Sequence, residues 1–273
     1  MSKFDSGHWA LILGGSSGFG LATAKKLSRE GMSVCIVHRD RKGAMERIEK
    51  EFEEIKANGN GFIPLNLDAL SAEGISTTIN ALKNALGSTG KLKVLLHSIA
   101  FGNLKPIVPV KDPALKSVYG DALIEDEDMA RTVYSMGTSL LTWVQAAFRA
   151  ELFAEDSRVF GLTSEGNEVA WRGYAAVSAA KTALEAVSRS IAVEFAPYGI
   201  RSNIIQAGVT DTPALNAIPG SKAMKETAIA RNPFHRLTLP EDVAGVIYLL
   251  SLPEAAWVNG TLIRVDGGER VAG

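Results

Sequence analysis

The sequence predicts an α/β protein, a doubly wound single domain whose seven-stranded parallel sheet carries helices on both faces. Three observations predict it. Short apolar runs alternate with longer segments of helical period along the chain. The runs are apolar at consecutive positions, as in strands covered on both faces, and do not alternate with polar residues. No stretch rich in Gly, Ser or Pro divides the 273 residues, so the repetition is taken as one domain, 1–273.

The elements follow in order. Trp9 to Gly14 (WALILG), Ser33 to His38 (SVCIVH), Gly61 to Asn66 (GFIPLN) and Lys93 to Ser98 (KVLLHS) are the first four strands. Ser157 to Thr163 (SRVFGLT), Ile200 to Gln206 (IRSNIIQ) and Thr261 to Val265 (TLIRV) are the other three. Helical patterns such as Phe19 to Glu30 and Arg41 to Lys56 lie between them, and right-handed crossovers join the parallel strands. The longest irregular part, 102–126, holds Pro106, Pro109, Pro113 and Gly120 and is read as a lid or insertion. Its acidic end, EDEDM, suits the start of a helix, where carboxylates meet the positive end of the dipole.

Composition narrows the function. The formal net charge is −1 and no Lys/Arg cluster stands out, which gives no support for nucleic-acid binding. A single cysteine, Cys35, lies in an apolar run; it allows no internal disulfide and is expected to be a buried structural thiol. No signal-peptide pattern opens the chain, and no apolar stretch approaches the ~20 residues of a membrane span. A cytoplasmic protein without a membrane partner is expected. No metal ligand set is assigned.

ILGGSSGFG joins the first strand to the first helix. Gly14, Gly18 and Gly20 give the spacing G-x3-G-x-G, which permits a tight turn and close approach of the backbone to a pyrophosphate. The N–H groups of Ser16, Ser17, Gly18 and Phe19 stand where a helix start holds phosphates. In this strand-to-helix context the motif predicts a Rossmann-like dinucleotide site. After the second strand comes VHRDR, with no acid at the first position and with Arg39 and Arg41 following. An arginine there accommodates a 2′-phosphate, so NADP(H) is expected in preference to NAD(H). Asp40 is the counter-argument, since a small loop shift would aim it at a ribose hydroxyl. By position, Asn66 and Leu67 would hold the adenine, with Asp68 ranked behind them, and Ser98, Ile99 and Ala100 would run along the ribose and nicotinamide.

The chemistry-bearing stretch is YAAVSAAK. Tyr174 and Lys181 are seven residues apart, about two turns or 10.5 Å along a helix and on nearly the same face. The bland alternative is a core tyrosine and a surface lysine. Thr163 and Ser164 end the fifth strand just upstream, and ligands in open α/β sheets bind at carboxyl ends of strands.

Together with RSNIIQAG (201–208) and VDGG (265–268), these motifs make the chain resemble the short-chain dehydrogenase/reductase family over nearly its whole length. Within it, HSIAFG, AGVTDTPAL and the six residues between Tyr174 and Lys181 resemble the bacterial enoyl-acyl-carrier-protein reductases. The resemblance implies reduction of a 2-enoyl thioester, carried on acyl carrier protein or coenzyme A, in fatty-acid synthesis. It implies that Tyr174 stabilises the enolate oxygen and that Lys181 binds the nicotinamide ribose. It implies that Val209 and Thr212 contact the carboxamide and pyrophosphate side, and that 213–231, including Met224, forms a substrate-binding flap. Met224 could equally be core filler. A homotetramer is also implied. Two departures stand out: Ser164 occupies the place of a second tyrosine ten residues before Tyr174, and the lid-like segment after Phe101 is longer than the usual one, which leaves acyl-chain length open. Met136, where ordinary family members carry a catalytic asparagine, again resembles the enoyl subgroup. The rival readings are a carbonyl (3-oxoacyl) reductase or alcohol dehydrogenase on the same fold, and a non-catalytic dinucleotide sensor.

Overall fold

A computed structural model describes residues 3–218 and 220–272. All seven predicted strands form: β1 His8–Leu13, β2 Ser33–His38, β3 Phe62–Asn66, β4 Lys91–His97, β5 Phe153–Thr163, β6 Ile200–Ala207 and β7 Leu262–Val265. Every pairing is parallel, in the order β3-β2-β1-β4-β5-β6-β7. The order reverses direction between β1 and β4, which opens a crevice at their carboxyl ends.

The apolar runs are explained by two cores. In β1, Ala10 and Ile12 face α1 (Gly18–Arg29), α2 (Met45–Lys56) and α10 (Pro240–Leu250). Leu11 and Leu13 face α3 (Ala72–Leu86), α6 (Ser139–Arg149) and α7 (Ala175–Glu194). Successive side chains point to opposite faces and each meets a helical layer, so neither parity can be polar. Cys35 is buried in the second core, and burial pushes its thiol up to about 12, where it is unreactive.

At the amino end of the sheet Arg158 is fully buried on β5. Its guanidinium donates to the Leu250 carbonyl at 2.9 Å and pairs with Asp156, which also holds Lys93 and Arg201. Burial works against ionisation of Asp156, but hydrogen bonds from Arg158 and Lys93 outweigh it and hold the carboxyl below its usual range.

One stretch departs from expectation, and a second, read as a helical flap, is resolved into separate helices. The segment 102–126 is not wholly irregular: it carries a helix, α4 (Pro113–Tyr119), before α5 (Asp126–Val133) starts at the acidic run. The segment 213–231 is two helices, α8 (Pro213–Asn216) and α9 (Ser221–Arg231); Pro219 between them lies outside the described residues. Between α5 and α6 the backbone widens into one π-helical stretch, Tyr134–Thr138. It brings Met136 against Tyr174, Val177 and Ala180. No helix among the described residues is long and apolar enough to cross a membrane.

Candidate active site

The crevice at the switch point is a cleft of about 610 Å³. It runs from Arg39 and Asp68 past Ser16, Ser17, Gly18 and Phe19 to Ser164, Tyr174 and Lys181. Leu67, Ser98, Ile99, Ala100, Val209 and Thr212 also line it, with Gly14 at the turn.

The glycine turn is built for a backbone-lined floor. Gly14 has φ +87°, and a Cβ there would fall 2.4 Å from the Ser98 carbonyl oxygen. A Cβ on Gly20 would fall 2.1 Å from the Gly14 carbonyl oxygen, so Gly20 packs the first turn of α1 onto the loop and does not itself line the cleft. Ser17 is the N-cap of α1, in extended conformation and with no side-chain capping bond, and no acid occupies the first turn. The first N–H groups of the helix therefore face the cleft without an internal acceptor and with the dipole's positive end behind them. These residues fit a dinucleotide diphosphate.

At the adenosine end the structure sorts the charges. Arg39 donates to Asp68 at 2.8 Å, and its guanidinium lies 5.0 Å from the centre of the Phe101 ring, which Arg131 of α5 approaches at 5.3 Å. Phe101, at the start of the 102–126 segment, thus has two guanidiniums within cation–π range of its ring. Asp40 is engaged by His38 Nδ1 at 2.9 Å. Asn66 does not line the cleft, because its amide is bound to the backbone N–H and carbonyl of Asp40. It shapes the β2 loop, and Asp68 takes the lining position.

At the other end, Tyr174 is the N-cap residue of α7, and the helix proper begins at Ala175. Both Tyr174 and Lys181 are buried and face the same cleft. A core tyrosine paired with a surface lysine is therefore not what forms. Burial raises the Tyr174 phenol above its ordinary value, with a weaker opposing influence from the Ser164 hydroxyl. Ser164 Oγ is itself buried and makes no full hydrogen bond. Lys181 Nζ donates to the Leu162 carbonyl at 2.7 Å. Burial pushes its ammonium down to about 8, against the pull of Glu185 one turn further along α7. Glu185 accepts from Thr163 Oγ1 at 2.9 Å and from Asn167 Nδ2 at 2.6 Å, tying the end of β5 to α7.

Sequence reasoning missed three groups here. His97 is buried beneath Lys181, with Nε2 2.8 Å from Ser139 Oγ and Nδ1 unpartnered. Burial, and then the charge of Lys181, holds it neutral by lowering it to about 3. Its parity within β4, two residues after Leu95, was a signal for this placement. Arg231, at the end of α9, bridges Glu165 at 3.1 Å and Glu269 at 2.8 Å and so anchors the 213–231 segment across the cleft. Glu165 and Glu269 lie 66 and 38 positions from Arg231, and no local pattern joins them. Glu269 Oε2 also accepts from the Val209 N–H at 3.1 Å.

The comparisons agree with this geometry. A family model described as Enoyl-(Acyl carrier protein) reductase matches residues 14–269. The 3-oxoacyl-[acyl-carrier-protein] reductase of Pseudomonas aeruginosa is 28% identical, over 96% of this chain and 97% of its own. A short chain dehydrogenase from Burkholderia cenocepacia, solved in complex with NADP, superposes with a TM-score of 0.80 at 25% identity, over 98% of this chain and 99% of that one. The enoyl-[acyl-carrier-protein] reductase (NADH) of Aquifex aeolicus does so with a TM-score of 0.79 at 25% identity, over 98% of each chain. A glycine turn at the switch point, a buried tyrosine and lysine facing one cleft, and a match along nearly the full length lead to one assignment: the chain is an oxidoreductase of the short-chain dehydrogenase/reductase family.

Proposed function

We propose that this protein reduces the C=C bond of a 2-enoyl thioester with NADPH. One observation carries the reading. The phenol that shares the cleft with Lys181 is Tyr174, two turns away, and the cleft residue one turn from the lysine is the apolar Val177. Along α7, therefore, no cleft-lining hydroxyl stands one turn from the ammonium for immediate proton delivery to a carbonyl. A phenol set further off suits an enolate, whose oxygen needs a hydrogen-bond donor and whose proton enters elsewhere, at the α-carbon.

When bound, a nicotinamide would be the hydride source for the β-carbon. The chain's own groups do the rest. The N-terminal N–H groups of α1 hold the diphosphate, and Arg39 meets a 2′-phosphate. Lys181, whose Nζ sits on the Leu162 carbonyl, would bind the ribose hydroxyls and place positive charge near the forming enolate. Tyr174 keeps its proton, because burial raises it, and donates a hydrogen bond to the thioester oxygen. A proton from solvent completes the α-carbon, leaving a saturated thioester and oxidised nicotinamide. Ser164 faces the same oxygen from the end of β5 and takes the place of a second phenol.

NADPH preference rests on Arg39 at the cleft end, with Asp40 engaged by His38. The thioester carrier, acyl carrier protein or coenzyme A, the role in fatty-acid synthesis, the cytoplasmic setting and the homotetramer belong to the same reading. The likeness to a 3-oxoacyl reductase favours a second reading, reduction of a carbonyl. Oxidation of NADPH and of NADH with crotonyl and with acetoacetyl thioester decides between them. Turnover of crotonyl thioester alone is expected, and turnover of acetoacetyl thioester alone overturns the proposal.

A further inference from the structure

We infer that His38 is a specificity-determining residue: it holds the Asp40 carboxylate on the end of β2 and so keeps the adenosine end of the cleft fit for a 2′-phosphate; the inference rests on the NADPH reading above. His38 is the last residue of β2, and its side chain is 1% exposed. Its Nδ1 lies 2.9 Å from Asp40 Oδ2. A carboxylate accepts and does not donate, so Nδ1 carries the proton of this bond. The ring is itself packed, edge to face, on Phe52, with centres 5.5 Å apart and planes at 77°.

A second restraint acts on the same residue. Asn66 is the last residue of β3 and stands opposite His38 in the parallel ladder. Its side-chain carbonyl accepts from the Asp40 N–H at 3.0 Å, and its side-chain amide donates to the Asp40 carbonyl at 3.0 Å. One amide thus fixes both sides of the Asp40 backbone, while His38 fixes the side chain. The register of β2 with β3 places the two restraints side by side.

The chemistry at this end turns on which of two neighbours is free. Arg39 and Asp40 are adjacent and both line the cleft. An acid here accepts hydrogen bonds from ribose hydroxyls and repels a 2′-phosphate, whereas an arginine receives the phosphate. Arg39 pairs with Asp68 at 2.8 Å, but the two side chains are 52% and 40% exposed. Water screens that pair, so a phosphate exchanges for Asp68 at little cost. Asp40 is bound to a buried ring on a braced backbone, with its side chain 24% exposed. The cation is the freer of the two groups, although the sequence offers both at adjacent positions.

Calorimetric titrations of the full chain with NADPH and with NADH test this. In His38→Leu the ratio of NADPH to NADH affinity is expected to fall about fivefold or more, through weaker NADPH and stronger NADH binding. The double variant, His38→Leu with Asp40→Asn, is expected to return to within about twofold of the ratio of Asp40→Asn alone, because the effect runs through the carboxylate. Asn66→Ala, at an exposed position, is expected to lower the ratio in the same direction, and it decides the matter if a melting curve shows His38→Leu unfolded. An unchanged ratio in folded His38→Leu, or in Asn66→Ala where His38→Leu does not fold, overturns the role of His38 and leaves the NADPH reading standing. A fall in the ratio that persists in the double variant does the same, since His38 then acts on the shape of the cleft and not through Asp40. A wild-type protein without preference for NADPH overturns that reading, and this inference with it.

Discussion

Lys181 Nζ donates to the carbonyl oxygen of Leu162 at 2.7 Å, so the ammonium at the cleft is held by the backbone at the carboxyl end of β5 and not by a carboxylate. That contact satisfies one of its three protons. Burial without a direct counter-ion explains why its acidity is shifted so far, to about 8 from 10.5.

A pH dependence follows from that shift. If the charged lysine is what the reaction uses, kcat/KM is flat at neutral pH and falls as pH rises through about 8, because the ammonium loses its proton there. Lys181→Met should abolish that alkaline limb, lower the rate and weaken NADPH binding. Steady-state rates from pH 6 to pH 10 and a cofactor titration check it, and an unchanged affinity would remove Lys181 from the cofactor site.

Tyr174→Phe isolates the phenol oxygen while keeping the ring against Trp171 and Met136. Loss of one donor to a developing oxyanion costs about 10²–10³ in kcat. Cofactor affinity should stay near wild type. A parallel loss of NADPH binding would mean that the ring position, not the hydroxyl, carries the effect.

Arg39→Ala should weaken NADPH binding much more than NADH binding, since only the former carries a 2′-phosphate. The substitution also releases Asp68 and one face of Phe101. Fluorescence titrations with both cofactors give the answer; equal losses would mean that Arg39 acts through Phe101 alone.

Gly20→Ala places a methyl 2.1 Å from the Gly14 carbonyl oxygen, a backbone atom that cannot step aside alone. The first turn of α1 should shift, and dinucleotide affinity should fall by at least about tenfold as its N–H groups leave the cleft floor. Calorimetric titration with the folded variant measures it.

Asp156→Asn leaves the fully buried Arg158 without its countercharge. Asp156 is itself 37% exposed, so solvent screens the pair, and the loss expected is about 1–3 kcal/mol. The sign with pH is also set. A depressed carboxyl stabilises the fold above its unfolded value near 4 and loses that contribution as pH falls through the lower folded value. Urea unfolding at pH 7 and in acid should show wild type and variant converging as pH drops.

Most of the framework could be read directly, for a local reason. Strands covered on both faces write continuous apolar runs, and a turn that must pass under a phosphate writes glycines at set intervals; each pattern spans a few residues. Tyr174, Lys181 and the Gly14 turn were legible in that way. Asn66 and Asp68 were not: which of two neighbouring polar residues faces a cleft depends on the loop after β2, and Asn66 is bound to Asp40 there.

What the chain determined by itself is the sheet order's raw material, the phosphate turn and the paired phenol and amine, because these rest on periodicity and spacing along one segment. Only the tertiary structure decided that Lys181 is buried against Leu162, that His97 stays neutral beneath it, and that Arg231 ties α9 to Glu165 and Glu269. Burial and charge pairing depend on groups brought together from distant positions, and dielectric surroundings exist only once the cores have closed around them.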